Sequence, residues 1–357
     1  MGDRMRILVA MSGGVDSSVA AARLVDAGHD VIGVTLHLWD YPDDGSVRGR
    51  CCAPEDQHDA RRVADALGMP HFAFDRREAF AREVVEPFVE AYLAGETPSP
   101  CVTCNRGVKM RELFALAQRL GADRVATGHY ARVVRSGGRA ELHRARDRGK
   151  DQSYYLHTLE ADSLARLELP LGDATKAEVR AEAVQRALPG AHKGESQELC
   201  FVPTGRYDAF VAERAGARAR PGPIVDGAGR VVGAHAGLHG FTIGQRKGLG
   251  VALGAPAYVV ALDAERASVR LGTADELLAG SARLRGARFA ADVMLPRAAW
   301  VQVRARQEAQ PATLERSGDD VLVRFERPVR AVAPGQAAVA YDGDRVLGGG
   351  TIGEVLA

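Results

Sequence analysis

Met11-Ser12-Gly13-Gly14-Val15-Asp16-Ser17-Ser18 follows a short apolar run, Arg6-Ile7-Leu8-Val9-Ala10, and leads into a helical pattern of Val19, Ala22, Leu24 and Val25. The order reads as a strand, a glycine turn and a helix start. Such a turn aims several backbone N–H groups at one place with the helix dipole behind them, so it suits an anion. Gly13 and Gly14 carry no Cβ, which lets a phosphate approach the backbone and lets φ turn positive. Ser12, Ser17 and Ser18 add hydroxyl donors. Asp16 repels a bare phosphate but can hold Mg²⁺ or a water on it.

The loop lacks the Gly-Lys-Ser/Thr ending of a Walker A motif. It resembles the S-G-G-x-D-S signature of the PP-loop ATP pyrophosphatases. That resemblance implies cleavage of ATP between the α and β phosphates, adenylation of a substrate oxygen, and release of AMP and pyrophosphate. A glycine-serine turn that merely caps a helix is the competing reading. The strand–turn–helix context weighs against it.

The stretches downstream keep alternating between strand and helix. Gly28 stops the first helix, and Val31 to Leu36 reads as a buried strand. Ala60, Val63, Ala64 and Leu67 lie at helical spacing up to Gly68, and Phe72 to Phe74 is a short strand. Phe80, Val84, Val85, Phe88 and Leu93 predict a helix, with Pro87 as a bend. Val108, Leu113, Phe114, Leu116, Ala117 and Leu120 predict another, stopped by Gly121. Arg124-Val125-Ala126 then enters Thr127-Gly128-His129. This alternation predicts an α/β fold with a doubly wound parallel sheet. Ligands in such sheets bind beyond the carboxyl ends of the strands, which gathers the glycine loop, Leu36 and Gly128-His129 at one crevice.

Thr175 and Glu178 form a capping box that opens a helix ending near Leu188-Pro189-Gly190. From Gly216 to Gly254 glycine and proline become dense, which predicts a small, mostly β central domain. Later, Trp300 to Val303, Val321 to Phe325 and Ala337 to Tyr341 read as strands, and Asp342-Gly343-Asp344 as a hairpin turn. Short strands joined by tight turns predict a small barrel. The domain expectation is therefore 1–205, 206–278 and 279–357.

The 357 residues are enough for two or three cored domains, and 46% hydrophobic with 26% charged content suits a globular protein. No apolar stretch approaches the ~20 residues of a membrane span, and no basic-then-apolar signal opens the sequence. A cytoplasmic location is expected. The net charge of +1 rules out indiscriminate polyanion binding, so nucleic-acid contact must come from local patches. One such patch is the run Arg132, Arg135, Arg139, Arg144, Arg146, Arg148 and Lys150 around the turn Ser136-Gly137-Gly138. On charge alone, phosphate binding and a solvated hairpin are evenly matched.

Five cysteines is an odd count, so reactive thiols or metal ligands are expected rather than a disulfide framework. Cys101-Val102-Thr103-Cys104-Asn105 follows Thr97-Pro98-Ser99-Pro100, a loop stiffened by two prolines. A lone C-x-x-C is a redox pair, half a zinc site, or chance. Cys200 stands far downstream in Ser196-Gln197-Glu198-Leu199-Cys200-Phe201. The adjacent Cys51 and Cys52 suit one metal poorly and read as plain small residues.

The glycine loop, Thr97-Pro98-Ser99-Pro100-Cys101-Val102-Thr103-Cys104-Asn105, Ala126-Thr127-Gly128-His129-Tyr130, Lys150-Asp151-Gln152-Ser153-Tyr154-Tyr155 and Gly244-Gln245-Arg246-Lys247-Gly248-Leu249-Gly250 occur in one order. Together they resemble the tRNA-specific 2-thiouridylases, nearly end to end, down to Pro334-Gly335-Gln336. The resemblance implies ATP-dependent 2-thiolation of the wobble uridine of tRNAs for Lys, Glu and Gln. ATP with Mg²⁺ adenylates the C2 oxygen, a poor leaving group made good, and a cysteine persulfide then supplies sulfur. It implies Cys200 as persulfide carrier and Cys104 as the partner nucleophile. It also implies ATP contacts at Ala10, Met11, Ser12, Gly13, Gly14, Val15, Asp16, Ser17, Leu36 and Gly128. Target-base contacts would come from Ser99, Pro100 and Cys101, and tRNA contacts from His129, Lys150, Asp151, Gln152, Arg304, Ala305 and Gln336. Arg246 and Lys247 read as further candidates for RNA backbone. The sulfur donor would be a cysteine desulfurase or a relay carrier, the central domain would touch tRNA, and the barrel would help hold it.

Three positions depart from the family pattern. Cys101 stands where many relatives carry Asp, Ser99 where Asn is common, and Ala305 where an aromatic is usual. The first opens another mechanism: Cys101, Cys104 and Cys200 are three thiolates, the number that holds a [4Fe–4S] cluster with one open iron. A more distant alternative is a small-molecule PP-loop ligase, which needs no cysteine pair. A non-enzymatic nucleotide-binding module would bind ATP without forming pyrophosphate.

Overall fold

The computed structural model describes residues 4–40, 54–194, 199–202, 205–252 and 254–356. Cys51, Cys52 and residues 196–198 lie outside these. The chain forms two compact units. The first is Met1–Val84, Cys101–Gly205 and Asp344–Val346; the second is Val85–Pro100, Arg206–Gly343 and Leu347–Ala357.

The first unit carries β1 (Arg6–Ala10), β2 (Asp30–His37), β3 (His71–Asp75), β4 (Arg124–Ala126), the hairpin β5 (Ala131–Ser136) and β6 (Arg139–Arg144), and β7 (Leu167–Glu168). Its parallel sheet has the order β3-β2-β1-β4-β7. Ile7, Leu8 and Val9 have no solvent exposure, as expected of a central strand covered on both faces. Ile7 and Val9 pack with Ala21 and Leu24 of helix Val15–Asp26 and with Ala60 and Val63 of helix Pro54–Ala66. Val19 and Ala22 pack against Val179 and Ala183 of helix Lys176–Gln185. The expected capping box is formed, with Thr175 Oγ1 accepting from Glu178 N at 3.2 Å and Glu178 accepting from Thr175 N at 2.7 Å. From β1 the sheet grows toward β2 on one side and β4 on the other. That reversal is the switch point at which such sheets open a crevice.

Two helical stretches depart from the simple pattern. The expected helix through Pro87 is split into Arg77–Phe80, a π turn at Ala81–Val85 and Glu86–Leu93. Proline has no N–H for the carbonyl four residues back and its ring crowds that carbonyl, so the turn before it widens. The helix expected from Val108 begins earlier, at Pro100. It runs as Pro100–Cys104, a π segment Asn105–Met110 and Arg111–Arg119, so the C-x-x-C sits on helix.

In the second unit, helices Glu86–Leu93 and Tyr207–Ala215 meet through Phe88 and Phe210 and through stacked Tyr92 and Tyr207 rings 4.8 Å apart. Strands β8 (Gly222–Val225), β9 (Val231–His235), β10 (Tyr258–Asp263) and β11 (Ser268–Gly272) form a four-stranded sheet. Strands β12 (Leu278–Phe289), β13 (Arg297–Gln302), β14 (Gln310–Ser317), β15 (Asp320–Arg330), β16 (Ala337–Asp342) and β17 (Arg345–Leu356) follow. Their order β12-β15-β14-β13-β16-β17 closes through β12–β17 into a six-stranded barrel. Leu284, Val301, Leu314, Val323 and Ile352 fill it.

His157 is buried in the first unit, with Nδ1 2.7 Å from the Tyr154 carbonyl. Burial pushes its pKa down from 6.5 to about 4. Between those values the unfolded chain binds more protons than the folded one, so stability falls as pH drops from 6.5 toward 4. The expected loss from this group between pH 7 and pH 5 is about 2 kcal/mol. Denaturation midpoints of the native protein and of His157→Gln across that range measure it. Parallel pH profiles would refute the assignment.

Candidate functional site

The glycine loop leaves β1 at its carboxyl end. Gly13 has φ 71°, and a Cβ there would lie 2.2 Å from the Asp56 carbonyl oxygen. Only glycine fits. Gly14 caps helix Val15–Asp26 with no side-chain acceptor on the first turn, which leaves the leading N–H groups for an anion. Two serines brace the turn from inside: Ser17 Oγ donates to Gly14 O at 3.0 Å and accepts from Ser12 N at 3.2 Å, and Ser18 Oγ donates to Gly14 O at 2.9 Å. Beside it Thr127-Gly128-His129 leaves β4. A Cβ on Gly128 would lie 2.9 Å from Ser17 N and Asp16 C, so the two strand ends meet backbone to backbone. Met11 and Leu36 are buried at the ends of β1 and β2.

Asp16 is held by two side chains from elsewhere in its own unit. Lys176 Nζ lies 2.6 and 2.7 Å from its two oxygens, and Tyr130 Oη donates to Oδ1 at 2.8 Å. The Lys176 ammonium also sits 5.8 Å from the Tyr130 ring centre. A second lysine, Lys193, pairs with Asp56 at 2.7 Å and with Asp59. Gly190, in the same turn as Lys193, approaches the Gly13 carbonyl, with 3.7 Å from a built Cβ to that oxygen. The loop is thus flanked by two carboxylate-held ammonium groups that sequence reading missed. Lys176 carried one signal, its place at the first position of a capped helix.

His129 Nδ1 lies 2.7 Å from Thr127 Oγ1. Burial, helped by the Lys109 charge, pushes its pKa down to about 3, so the ring is neutral. That Lys109 charge also acts on Cys104, so one cation faces both the β4 end and the thiol helix.

Cys101 is exposed, Cys104 is buried and Cys200 is half-buried. Burial raises the Cys104 thiol to about 11 against the opposing pull of Lys109, with a small further rise from Cys101. Next to it, buried Asn105 has an amide oxygen with no hydrogen-bond partner. Cys200 precedes Phe201, which is buried edge-on against Phe80 at 5.6 Å and Trp39 at 6.2 Å. Among the described residues no three His, Cys, Asp or Glu side chains converge as a metal requires. The alternative cluster set of Cys101, Cys104 and Cys200 is not gathered into such a group among the described residues.

The residues expected to touch RNA divide sharply. Five of the seven cations around the β5–β6 hairpin pair with acids of the same unit: Arg132 with Asp344 at 2.6 Å, Arg135 with Glu168 at 3.2 Å, Arg144 with Asp151 at 3.3 Å, Arg146 with Glu178, and Arg148 with Asp344. These pairs tie the ribbon to acids of its own unit, while Arg146 and Arg148 stay about half exposed. Asp151 also accepts from Ala145 N and Ser153 Oγ, and Gln152 accepts from Tyr130 N. Both side chains hold the turn that follows Lys150.

In the second unit Gln336 Nε2 donates to the Thr97 and Pro98 carbonyls at 2.9 and 3.1 Å, and Ala337 N donates to Ser99 Oγ at 3.2 Å. Gly335, at φ 88°, lets Thr97 approach. The nitrogens of Pro98 and Pro100 have no hydrogen to give, so this loop is secured by donors from the barrel instead. Arg304 Nη2 donates to the Ile243 carbonyl at 2.9 Å, and Gln302 to the carbonyls of Arg304 and Ala305. Arg304 and Gln336 thus brace loops. Arg246 and Lys247 are exposed on the turn that Arg304 supports.

Residues 5–204 match the family described as tRNA methyl transferase HUP domain. Residues 208–273 match its PRC-barrel domain, and 284–352 the aminomethyltransferase beta-barrel domain. The chain is 66% identical to the tRNA-specific 2-thiouridylase MnmA of Sorangium cellulosum, covering 98% of this chain and 93% of that one. It is 50% identical to the protein of that name from Mycolicibacterium paratuberculosis, over 98% and 99%. It is also 50% identical to that from Chloroflexus aggregans, over 97% and 98%.

The contrast between the two C-x-x-C thiols is directly measurable. Iodoacetamide at pH 7.5 is expected to label Cys101 first. Labelling of Cys104 should rise about tenfold per pH unit toward 9.5, following its thiolate fraction. Peptide mass spectrometry reads both sites; equal, pH-independent labelling of Cys104 contradicts its burial.

Proposed function

The chain belongs to the tRNA-specific 2-thiouridylase family, and from that premise we propose that it converts a wobble uridine of tRNA to 2-thiouridine at the cost of ATP. It is a tRNA sulfurtransferase. The observation that carries the reading is an uncapped glycine loop at the sheet's switch point, with Lys176 already held beside it on Asp16.

The chemistry follows from what each group can do. ATP lies with its phosphates on the loop N–H groups, between Ala10 and Ser17, and with its nucleoside toward Leu36 and Gly128. Mg²⁺ accompanies it, and Lys176 supplies a further cation for the polyphosphate. The uracil C2 oxygen attacks the α phosphorus, pyrophosphate leaves, and the oxygen becomes part of a good leaving group. The terminal sulfur of a persulfide on Cys200 attacks C2, and AMP departs with the oxygen. Cys104 then attacks Cys200, completing sulfur release and forming a Cys104–Cys200 disulfide. Its raised pKa makes that attack the demanding step, and the neighbouring Lys109 charge favours the thiolate. Ser99, Pro100 and Cys101 face the base. The orphaned Asn105 oxygen suits a donor on the substrate, such as the uracil N3–H.

Substrates are the tRNAs for Lys, Glu and Gln, and a cysteine desulfurase or relay carrier loads the persulfide in the cytoplasm. Lys150, Arg246 and Lys247 contact RNA phosphates. The catalytic, central and barrel parts divide at about 205 and 278 of the sequence. Methyl transfer, the wording of the family description, calls for neither a polyphosphate loop nor paired thiols.

Incubation of unmodified tRNA with Mg-ATP, a persulfide donor and metal-stripped protein is expected to yield 2-thiouridine by nucleoside mass spectrometry. Cys200→Ser should abolish it while ATP binding survives. No product from the native protein, with or without prior iron–sulfur reconstitution, would defeat the reading.

Lys176 has its own test. Lys176→Met removes a charge-assisted phosphate contact of roughly 1.5–3 kcal/mol. tRNA-dependent pyrophosphate release should fall on the order of 10- to 100-fold, with partial recovery in Lys176→Arg. An unchanged rate in a folded Lys176→Met protein would remove Lys176 from the nucleotide site.

A further inference from the structure

The C-x-x-C carries a third thiol for which the two-cysteine reaction has no use. Cys101 and Cys104 lie three residues apart on the helix Pro100–Cys104. At that spacing Cα atoms are about 5 Å apart, inside the range a disulfide spans. Their Cβ atoms, roughly 5–6 Å apart on a regular helix, must close by about 1–2 Å, so the bond is strained and easily reduced. The two thiols are opposite in access, Cys101 exposed and Cys104 buried. A disulfide between Cys104 and Cys200 would have one sulfur buried and one half-buried, both poorly placed for an external reductant.

We propose that Cys101 is the resolving thiol of the cycle, moving the disulfide from Cys104–Cys200 to Cys101–Cys104. This rests on the thiolation reading above. The Cys101 thiolate attacks Cys104 Sγ. The Cys104–Cys200 bond breaks, and its electron pair leaves on Cys200 Sγ, which is free to be loaded again. No net oxidation occurs in that exchange. A soluble dithiol or a glutathione-class thiol then attacks the exposed Cys101 sulfur. A dithiol completes the reduction with its second thiol, whereas a monothiol forms a mixed disulfide that a second monothiol resolves; either way two electrons and two protons restore both Cys101 and Cys104, and the reductant ends as its disulfide.

The exchange explains why a cysteine is useful at 101. A buried sulfur cannot be reached by a protein-sized or tripeptide reductant, whereas a sulfur one helical turn nearer solvent can. The uncharged Cys101 side chain also stands in the stretch that faces the base, so reduction and product release are tied to one place. Neither step involves a metal.

Two measurements test it. The first needs no catalysis. Full-length Cys200→Ser is equilibrated in graded dithiothreitol redox buffers without tRNA or ATP, and free thiols are counted by alkylation and mass spectrometry. A reversible Cys101–Cys104 disulfide is expected, fully reduced at modest dithiol excess. Its absence under every oxidising buffer overturns the proposal whether or not the protein thiolates tRNA. The second compares native protein with Cys101→Ser in thiolation with persulfide donor and glutathione. In Cys101→Ser the steady rate should fall about tenfold below that variant's own first turnover as the Cys104–Cys200 disulfide accumulates, with no such decline in native protein. Excess tris(2-carboxyethyl)phosphine, a small phosphine, should restore it. An unchanged steady rate in Cys101→Ser, with native protein active, refutes the role. Inactive native protein that still forms the Cys101–Cys104 disulfide would refute the thiolation reading instead.

Discussion

Two backbones touching without a side chain between them set the geometry of the catalytic unit. The end of β4 at Gly128 lies against Asp16 and Ser17 so closely that a single Cβ would sit 2.9 Å from the Ser17 nitrogen. Asp56 presses on Gly13 in the same manner from the other side. The loop N–H groups converge because these neighbours leave the turn one path. The buried strand residues Ile7, Leu8 and Val9 anchor that path from below, and their burial is worth roughly 1.5–3 kcal/mol each. Stability of the sheet and shape of the anion site are therefore one problem, solved by where side chains are omitted.

Charge is organised with equal economy. Many cations of the first unit rest on carboxylates of the same unit, among them Lys176 on Asp16 and Arg23 on Glu182 at 2.6 Å. Around the β5–β6 hairpin this turns a basic run into a set of staples, partly screened and individually weak. Near the glycine loop the same device has another meaning. An ammonium resting on a carboxylate beside the glycine loop is pre-positioned there, and the pair is neutral in sum.

What could be read from the sequence was what local rules control. The glycine loop, the strands ending in Ala10, Leu36 and Ala126, and the Thr175/Glu178 box obey rules that reach three or four residues. Lys176 on Asp16 escaped notice because its partner is 160 positions away and nothing local selects it. The partners of the basic run escaped notice for the same reason: Glu168, Glu178 and Asp344 are remote in sequence and adjacent in the fold. Arg304 and Gln336 were legible as polar and placed, but not as braces, since their acceptors are carbonyls of distant loops. Pro87 announced a disturbance without saying that the helix would widen rather than bend. The thiols were visible as letters and the family pattern set Cys101 apart from Cys104; their opposite burial was not legible.

The segment Val85–Pro100 belongs to the second unit although it lies within the first third of the chain. Its last residues are secured by Gln336 and Ala337 of the barrel. A gene fragment cut at the apparent end of the nucleotide domain would leave helix Glu86–Leu93 without Phe210 and Tyr207, and the Thr97–Ser99 loop without its donors. The barrel is in this respect no detachable cassette. Swapping it between relatives exchanges the donors that secure the Thr97–Ser99 loop, and chimeras that ignore this join would inherit a fault in that loop.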